Sequence, residues 1–511
     1  MAGWISDDKK RNIIPRWRDF KQTILLGELT PTKNIHLKVP SYPDPHQRKI
    51  NDWKMDKSVR NAIELLNSSY ILDDDASFLE SSSYLEENPK FNSASISLIT
   101  GKNLHPNNNS NHSEQFENID HLESIIGILI KNLRSNIRYN PHNSISWIEL
   151  ARLYLIIGKE HAAERCILVG IQLSPHNRYV SRIAARFFAH TGDFKMAKNI
   201  LKSNMAFNSD PWLIGADIGI SSLQNKSSNH IKKAQKLVES KNYSFFELNE
   251  LLSALATEEL NSGSIKNSRK LFNQSLISPN DNTLAQAVWA NRHINNINIY
   301  ENSFEKIPNI FEAKAYKHFN LKEWGSSMSN ALQWFIDQPF SREPASFGSF
   351  IACTVLERYE EAIKLCNYGL KATPNDFTLM NNLAFSLLKT NDINRAHLVI
   401  QKIHGDSLPE QHRIVYLATK GFLMYKLNQV SYGAQLYKES SSLAGKAKNK
   451  KLQLLSEFHH LSVQLEHEGF PSNKLLKIEK ISSELEDLNE VYLEDLIKNL
   501  KRRLIDYREA H

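Results

Sequence analysis

The chain has 511 residues and a formal net charge of +7 (63 Lys and Arg against 56 Asp and Glu), which admits an acidic partner without requiring nucleic acid. Three cysteines without paired spacing argue against a secreted disulfide framework. The opening residues, MAGWISDDKKRN, lack the apolar run of a signal peptide, and Ile125–Ile130 is too short to cross a bilayer, so a cytoplasmic location is expected.

From the N-terminus, Trp17, Phe20, Ile24, Leu25 and Leu26 mix with Arg11, Arg16 and Arg18, which reads as an amphipathic helix starting near Pro15. Pro31, Pro40, Pro43 and Pro45 make residues 31–48 an extended connector. Val59, Ala62, Ile63 and Leu66 give Asp56–Ser68 one apolar helical side, and an acidic, Ser-rich stretch runs from Asp73 to Glu87. Asn107–Asn111 is a polar linker, the expected site of proteolysis. Residues 1–112 therefore read as an N-terminal arm, with Trp4, Trp17 and Trp53 expected to pack on a partner or on the rest of the chain. Ser113–Tyr139 has the spacing of one long helix.

The stretch Ser144–Asn177 sets the pattern for the repeats downstream. Trp147, Leu150, Ala151 and Tyr154 fall on one helical face, Gly158-Lys159 breaks the run, and Ala163, Ile167 and Gly170 line a second face closed by Pro175. Trp147, Leu150, Tyr154, Ala163 and Pro175 match by type the Trp, Leu, Tyr, Ala and Pro of a 34-residue tetratricopeptide (TPR) unit. Shifts of 34 keep Ala184, Ala185, Phe188, Gly192-Asp193, Ala197 and Leu201 in register. The phase returns in Glu343–Asp376 (Ala362, Cys366, Gly369, Pro374) and Phe377–Glu410 (Ala384, Asn391-Asp392, Ala396, Pro409), with Val415–Lys448 coming after a slip. The sequence resembles the TPR family. That resemblance implies an all-α, TPR-like alpha-solenoid of stacked helical hairpins, with an irregular N-terminal arm and a C-terminal capping helix. On this reading the superhelix spans residues 113–450 and the cap 451–511. Trp147 is expected between the two helices of its repeat, where truncation would be costly.

Between Trp212 and Phe340 the register loosens. An insertion is expected at Asn225–Asn229, a hairpin turning at Gly263, a helix over Asn282–Asn298 and a hairpin around Leu321-Lys322. Leu475–Tyr507 reads as one long helix with apolar residues from Ile481 to Leu504, either a terminal cap or a seam for self-association.

No phosphate loop, HExxH, GxSxG or GxGxxG occurs, so no catalytic residue, metal site or cofactor is expected, and the chain is not read as an enzyme. Cys166, Cys353 and Cys366 read as packed thiols. The TPR resemblance implies a concave groove lined by the first helix of each repeat. Carried onto this sequence, its positions include Arg152, then Tyr179, Arg182, Arg186 and His190, and in the later repeats Phe347, Ile351, Asn381 and Phe385. Guanidinium forks suit carboxylates, so the first set points to an acidic protein segment. Asn381 is expected to clamp a ligand's backbone. The sequence thus reads as an adaptor or scaffold that binds a protein partner through its groove and N-terminal arm. The alternative is an accessory subunit of a nucleic-acid-handling or defence complex, although no basic stripe interleaved with aromatics supports it.

Overall fold

The computed structural model describes residues 11–20, 45–72, 74–87, 122–468, 472–488 and 490–510. Among them there are 25 α-helices and no strand. The chain forms two compact units, one over Lys10–Ala313 and the other built on Lys314–His511.

In the first unit, α1 (Pro45–Met55), α2 (Val59–Leu72) and α3 (Asp75–Glu87) pack together. Trp53 sits edge-on to Tyr84 at 5.0 Å, and Leu65 and Leu66 are buried. The acidic, Ser-rich stretch is therefore largely helical. After α4 (Leu122–Tyr139) come the hairpins: α5 (Ser144–Ile156) with α6 (Glu160–Leu173), α7 (Arg178–Thr191) with α8 (Phe194–Ser203), α9 (Pro211–Leu223) with α10 (Ile231–Glu239), and α11 (Phe245–Asn261) with α12 (Ile265–Ser275). Beyond them lie α13 (Asp281–Ala290), α14 (Ser303–Lys306) and the start of α15 (Phe311–Asn320).

Local chemistry explains why helices start and stop where they do. Asn143, Asn177 and Asp210 cap α5, α7 and α9, each side-chain oxygen accepting backbone N–H bonds that the first turn leaves over. Ser244 and Glu247 form a reciprocal capping box on α11. The turns between paired helices take left-handed backbone at Gly158 and Gly192, and Asn225 serves the same role one hairpin later.

The second unit repeats this scheme. It holds the rest of α15, then α16 (Trp324–Asp337), α17 (Arg342–Thr354), α18 (Tyr359–Ala372), α19 (Phe377–Lys389), α20 (Ile393–Gln401), α21 (Glu410–Lys426), α22 (Val430–Lys446), α23 (Lys450–Glu468), α24 (Ser472–Glu486) and α25 (Leu493–Ala510). Ala163, Ala197, Ala362 and Ala396, which share one position of the 34-residue phase, are all fully buried. Gly170 and Gly369 share another. A Cβ at Gly170 would lie 2.9 Å from Ile148, and one at Gly369 would lie 2.8 Å from the Ala345 Cβ. The phase read from the sequence thus marks where two helices of a hairpin approach most closely. Each unit is a stack of TPR-like helical hairpins.

Four expectations change. Residues 11–19 are not helical but extend without regular structure, because their polar and aromatic side chains find partners far along the chain. Trp147 is only half-buried, its Nε1 donating to the Pro141 carbonyl at 2.8 Å, while its neighbours Ile148 and Ala151 hold the core. The helix expected over Asn282–Asn298 ends at Ala290. The C-terminal helix is two helices, and the break lets Tyr492 pack edge-on against Phe350 at 5.1 Å. Asn107–Asn111 and the first residues of the expected Ser113–Tyr139 helix lie outside the described residues.

Gly369→Val tests the hairpin contact. Ala345 cannot turn away from an added Cβ, so the variant should lose about 1–3 kcal/mol of stability by denaturant melt.

Candidate functional site

The inner helices α5, α7, α9, α11 and α13 are buried around nearly their whole circumference, whereas their outer partners α6, α8, α10 and α12 bury only one narrow stripe. Each inner helix packs on its hairpin partner and on neighbouring helices. Residues 11–20 lie along the groove from α13 and α15 at one end, past α9, to α5 and α7 at the other.

Two amide side chains hold the backbone of this segment. Asn282 Nδ2 donates to the Ile14 carbonyl at 3.0 Å, and Gln286 Nε2 donates to the Arg11 carbonyl at 2.7 Å. Halfway along, the Ile13 carbonyl passes so close to α9 that a Cβ at Gly219 would lie 1.9 Å from its oxygen. Only glycine admits the segment there.

Side chains then fix its register. Arg11 reaches Glu312 through Nε at 2.8 Å and through its second amino group at 2.9 Å, a two-point fork. Arg16 binds the same carboxylate at 2.5 Å and approaches Asp281 at 3.2 Å. Arg18, 1% exposed, bonds to both oxygens of Asp281. Trp17 is fully buried and edge-on to Phe187 at 6.4 Å, and Phe20 packs on Tyr179 at 5.4 Å. Asp19 meets Arg152 at 3.2 Å.

Two buried carboxylates titrate in opposite senses along this groove. Burial alone would raise Glu312, but the guanidinium groups of Arg11 and Arg16 outweigh it and hold the carboxyl at about 2. Burial pushes Glu149 up to about 7, because its one guanidinium, Arg152, is shared with the nearby Asp19 carboxylate.

Every groove residue expected from the sequence of the first set lies on α5 or α7. Arg152 is buried against Asp19 and Glu149. Arg182 pairs with Glu250 at 2.6 Å, with its guanidinium 4.4 Å from the Trp212 ring. Tyr179 and Arg186 are buried, and His190 is half-buried. The acidic segment that meets Arg152 is thus the chain's own Asp19, and Arg182 is engaged by a carboxylate of its own unit. Sequence reasoning does not find Asp281, Asn282, Gln286, Glu312 or Gly219. A signal exists for Gly219 alone: its helix, PWLIGADIGISSL, is apolar on most sides, and such a helix is covered nearly all round.

In the second unit the later set is also covered by the unit's own chain. Phe347 is fully buried among Tyr316, Phe319 and Trp334, and Ile351 is fully buried. Phe385 packs edge-on to His459 of α23 at 5.9 Å, and Asn381 is 1% exposed. Asn499 of α25 donates to the Val355 carbonyl at 2.8 Å, and Leu493, Leu496, Ile497 and Leu500 are buried. Of the apolar face expected as a self-association seam, Ile481, Leu485, Tyr492, Leu496 and Leu500 are buried within their own unit. All three cysteines are buried, and burial pushes the Cys166 and Cys353 thiols up to about 11, far from a reactive thiolate.

Among the described residues no cluster of three or more His, Cys, Asp or Glu could hold a metal ion, and no helix is long and apolar enough to cross a membrane. No family model matches this chain, and no curated protein matches it. Among solved structures it is similar to the crystal structure of yeast Tom70, with a TM-score of 0.32 and 13% identity over 90% of this chain and 95% of that one. The class that the hairpins and the groove define is an all-helical repeat protein with TPR-like hairpins, a description that stands on this chain's own packing.

Two outcomes are expected from the groove. Arg182→Glu sets two carboxylates against each other in a buried place, so thermal stability should fall, by about 3–5 kcal/mol for the broken pair; a charge reversal on a solvated face would leave the melt unchanged. For Glu312, the folded value of about 2 lies below the ordinary 4.5, so its contribution is complete above pH 4.5 and is lost as the pH falls toward 2. Thermal melts should therefore show a smaller drop between pH 5 and pH 3 for Glu312→Gln than for the wild-type chain.

Proposed function

We propose that this chain is a non-catalytic interaction scaffold whose first unit binds extended protein segments along its inner groove. The observation that carries this reading is the seat of residues 11–20: an irregular strand held through its carbonyls by Asn282 and Gln286, independently of side chain, and through its side chains by charge and aromatic contacts. Backbone clamping by side-chain amides holds any extended polypeptide, while the buried carboxylates and rings select among them. Arg152, Tyr179, Arg182, Arg186 and His190 form one end of this groove, and Asn282, Gln286 and Glu312 the other. No motif or metal cluster among the described residues supports a catalytic reading, and the +7 charge is too modest to favour a nucleic-acid role.

A photo-crosslinking amino acid placed at position 190 in the full chain tests the proposal. Irradiation in an extract of the source cells should give an adduct with another polypeptide, and the adduct should be lost when Asn282→Ala and Gln286→Ala are added. Adducts formed only within the chain would show the groove to be a closed internal core.

A further inference from the structure

We infer that residues 11–20 are a tethered ligand of this groove, and that the partner which enters it is a protein segment of the same chemistry: extended, with two arginines flanking an aromatic side chain and an acidic–aromatic pair behind them. The inference rests on the binding role just proposed and names the class of segment that the groove takes.

Three independent features support it. First, the groove's recognition groups complement that pattern and nothing simpler. Asp281 and Glu312 are buried carboxylates whose cationic partners, Arg11, Arg16 and Arg18, all come from the segment. Arg152 supplies the opposite charge at the other end, where Asp19 arrives. A segment with acids at both ends would leave Asp281 and Glu312 uncompensated, and one with arginines at both ends would set a guanidinium against Arg152.

Second, Gly219 is a cradle made for a passing backbone. It lies inside α9, where glycine weakens a helix by about 1 kcal/mol relative to alanine. The first atoms that a Cβ there would meet all belong to Ile13, at 1.9 Å for the carbonyl oxygen and 3.6 Å for the side chain. The helix itself gains nothing from this glycine; the visiting strand does.

Third, the segment is held through its side chains and through backbone groups that meet groove side chains, among them the Ile14 and Arg11 carbonyls, not through any regular structure of its own. A strand held in this way can be exchanged for another of like sequence. Tethering makes it the default occupant, because a linked segment acts at an effective concentration of about millimolar.

The test uses a synthetic, fluorescein-labelled peptide with the sequence of residues 10–21 and the full chain carrying an inserted protease site after residue 24. Once the site is cut, the labelled peptide should bind saturably by anisotropy, and the uncut chain should bind it roughly 100-fold more weakly. A second route keeps the chain intact: Arg16→Glu with Arg18→Glu should loosen the tethered segment and open the groove to the wild-type peptide. A peptide carrying the same two reversals should bind at least about 10-fold more weakly to either protein, the loss of one charge-assisted contact or more. Gly219→Ala, added to the cut chain, should abolish peptide binding while leaving helix content unchanged by circular dichroism.

No saturable binding to either opened protein, with helix content intact, would overturn the inference and show residues 11–20 to be a permanent core strand. Loss of helix on cutting and in the double variant would overturn it too, as a folding staple. If the position-190 adduct with another polypeptide survives either result, the groove still binds segments, but of different chemistry.

Discussion

The first unit depends on the compensation of buried carboxylates by arginines that arrive from the far end of the chain. Asp281 and Glu312 are 2% and 6% exposed, and an uncompensated carboxylate at such depth costs several kcal/mol. Three guanidinium groups within eight residues meet them, and Asn282 and Gln286 bring the backbone that carries those groups into place. The dependence runs both ways. Arg18, 1% exposed, would be as costly without Asp281 as Asp281 without Arg18. Groove and segment are consequently one electrostatic structure. The Glu149 site shows what happens when the arithmetic is less generous: one arginine between two carboxylates leaves the more buried carboxylate with a raised affinity for its proton.

The hairpin geometry makes this compensation possible. A 34-residue phase, marked by fully buried alanines and by glycines in close contact, sets each inner helix beside the next. The inner helices then stand side by side, so a single extended segment of ten residues can reach helices from α5 to α15. In the second unit the same kind of wall is covered by helices instead. There α23 and α25 bring His459 and Asn499 against α19 and α17, and Tyr492 just before α25 packs on Phe350 of α17. The extended segment of the first unit is held by charge pairs, clamped carbonyls and the buried rings of Trp17 and Phe20, whereas the helices of the second unit cover their wall with a broad apolar face.

What could be read from the sequence was whatever repeats or is local. Helical period gave the hairpins, and the spacing of Ala163, Ala197, Ala362 and Ala396 gave the phase, while the caps at Asn143 and Asn177 were seen only in the structure. The TPR resemblance implied Arg152, Tyr179 and Arg182 on the first helices of their hairpins but not what meets them. It also overstated Trp147, since a family position does not measure burial, and helical period made one helix of two at the C-terminus, since a regular apolar spacing continues across the break between α24 and α25.

The sequence alone determined an all-helical stack with a groove, because a helix and its cap are decided by residues three or four apart and a repeat by residues 34 apart. The tertiary structure alone decided what fills that groove. Arg11 and Glu312 are 301 positions apart, and neither has a neighbour in the sequence that betrays the other. Their pairing is set by how a stack of hairpins brings α15 to the same groove as the N-terminal strand, and no local period records that distance.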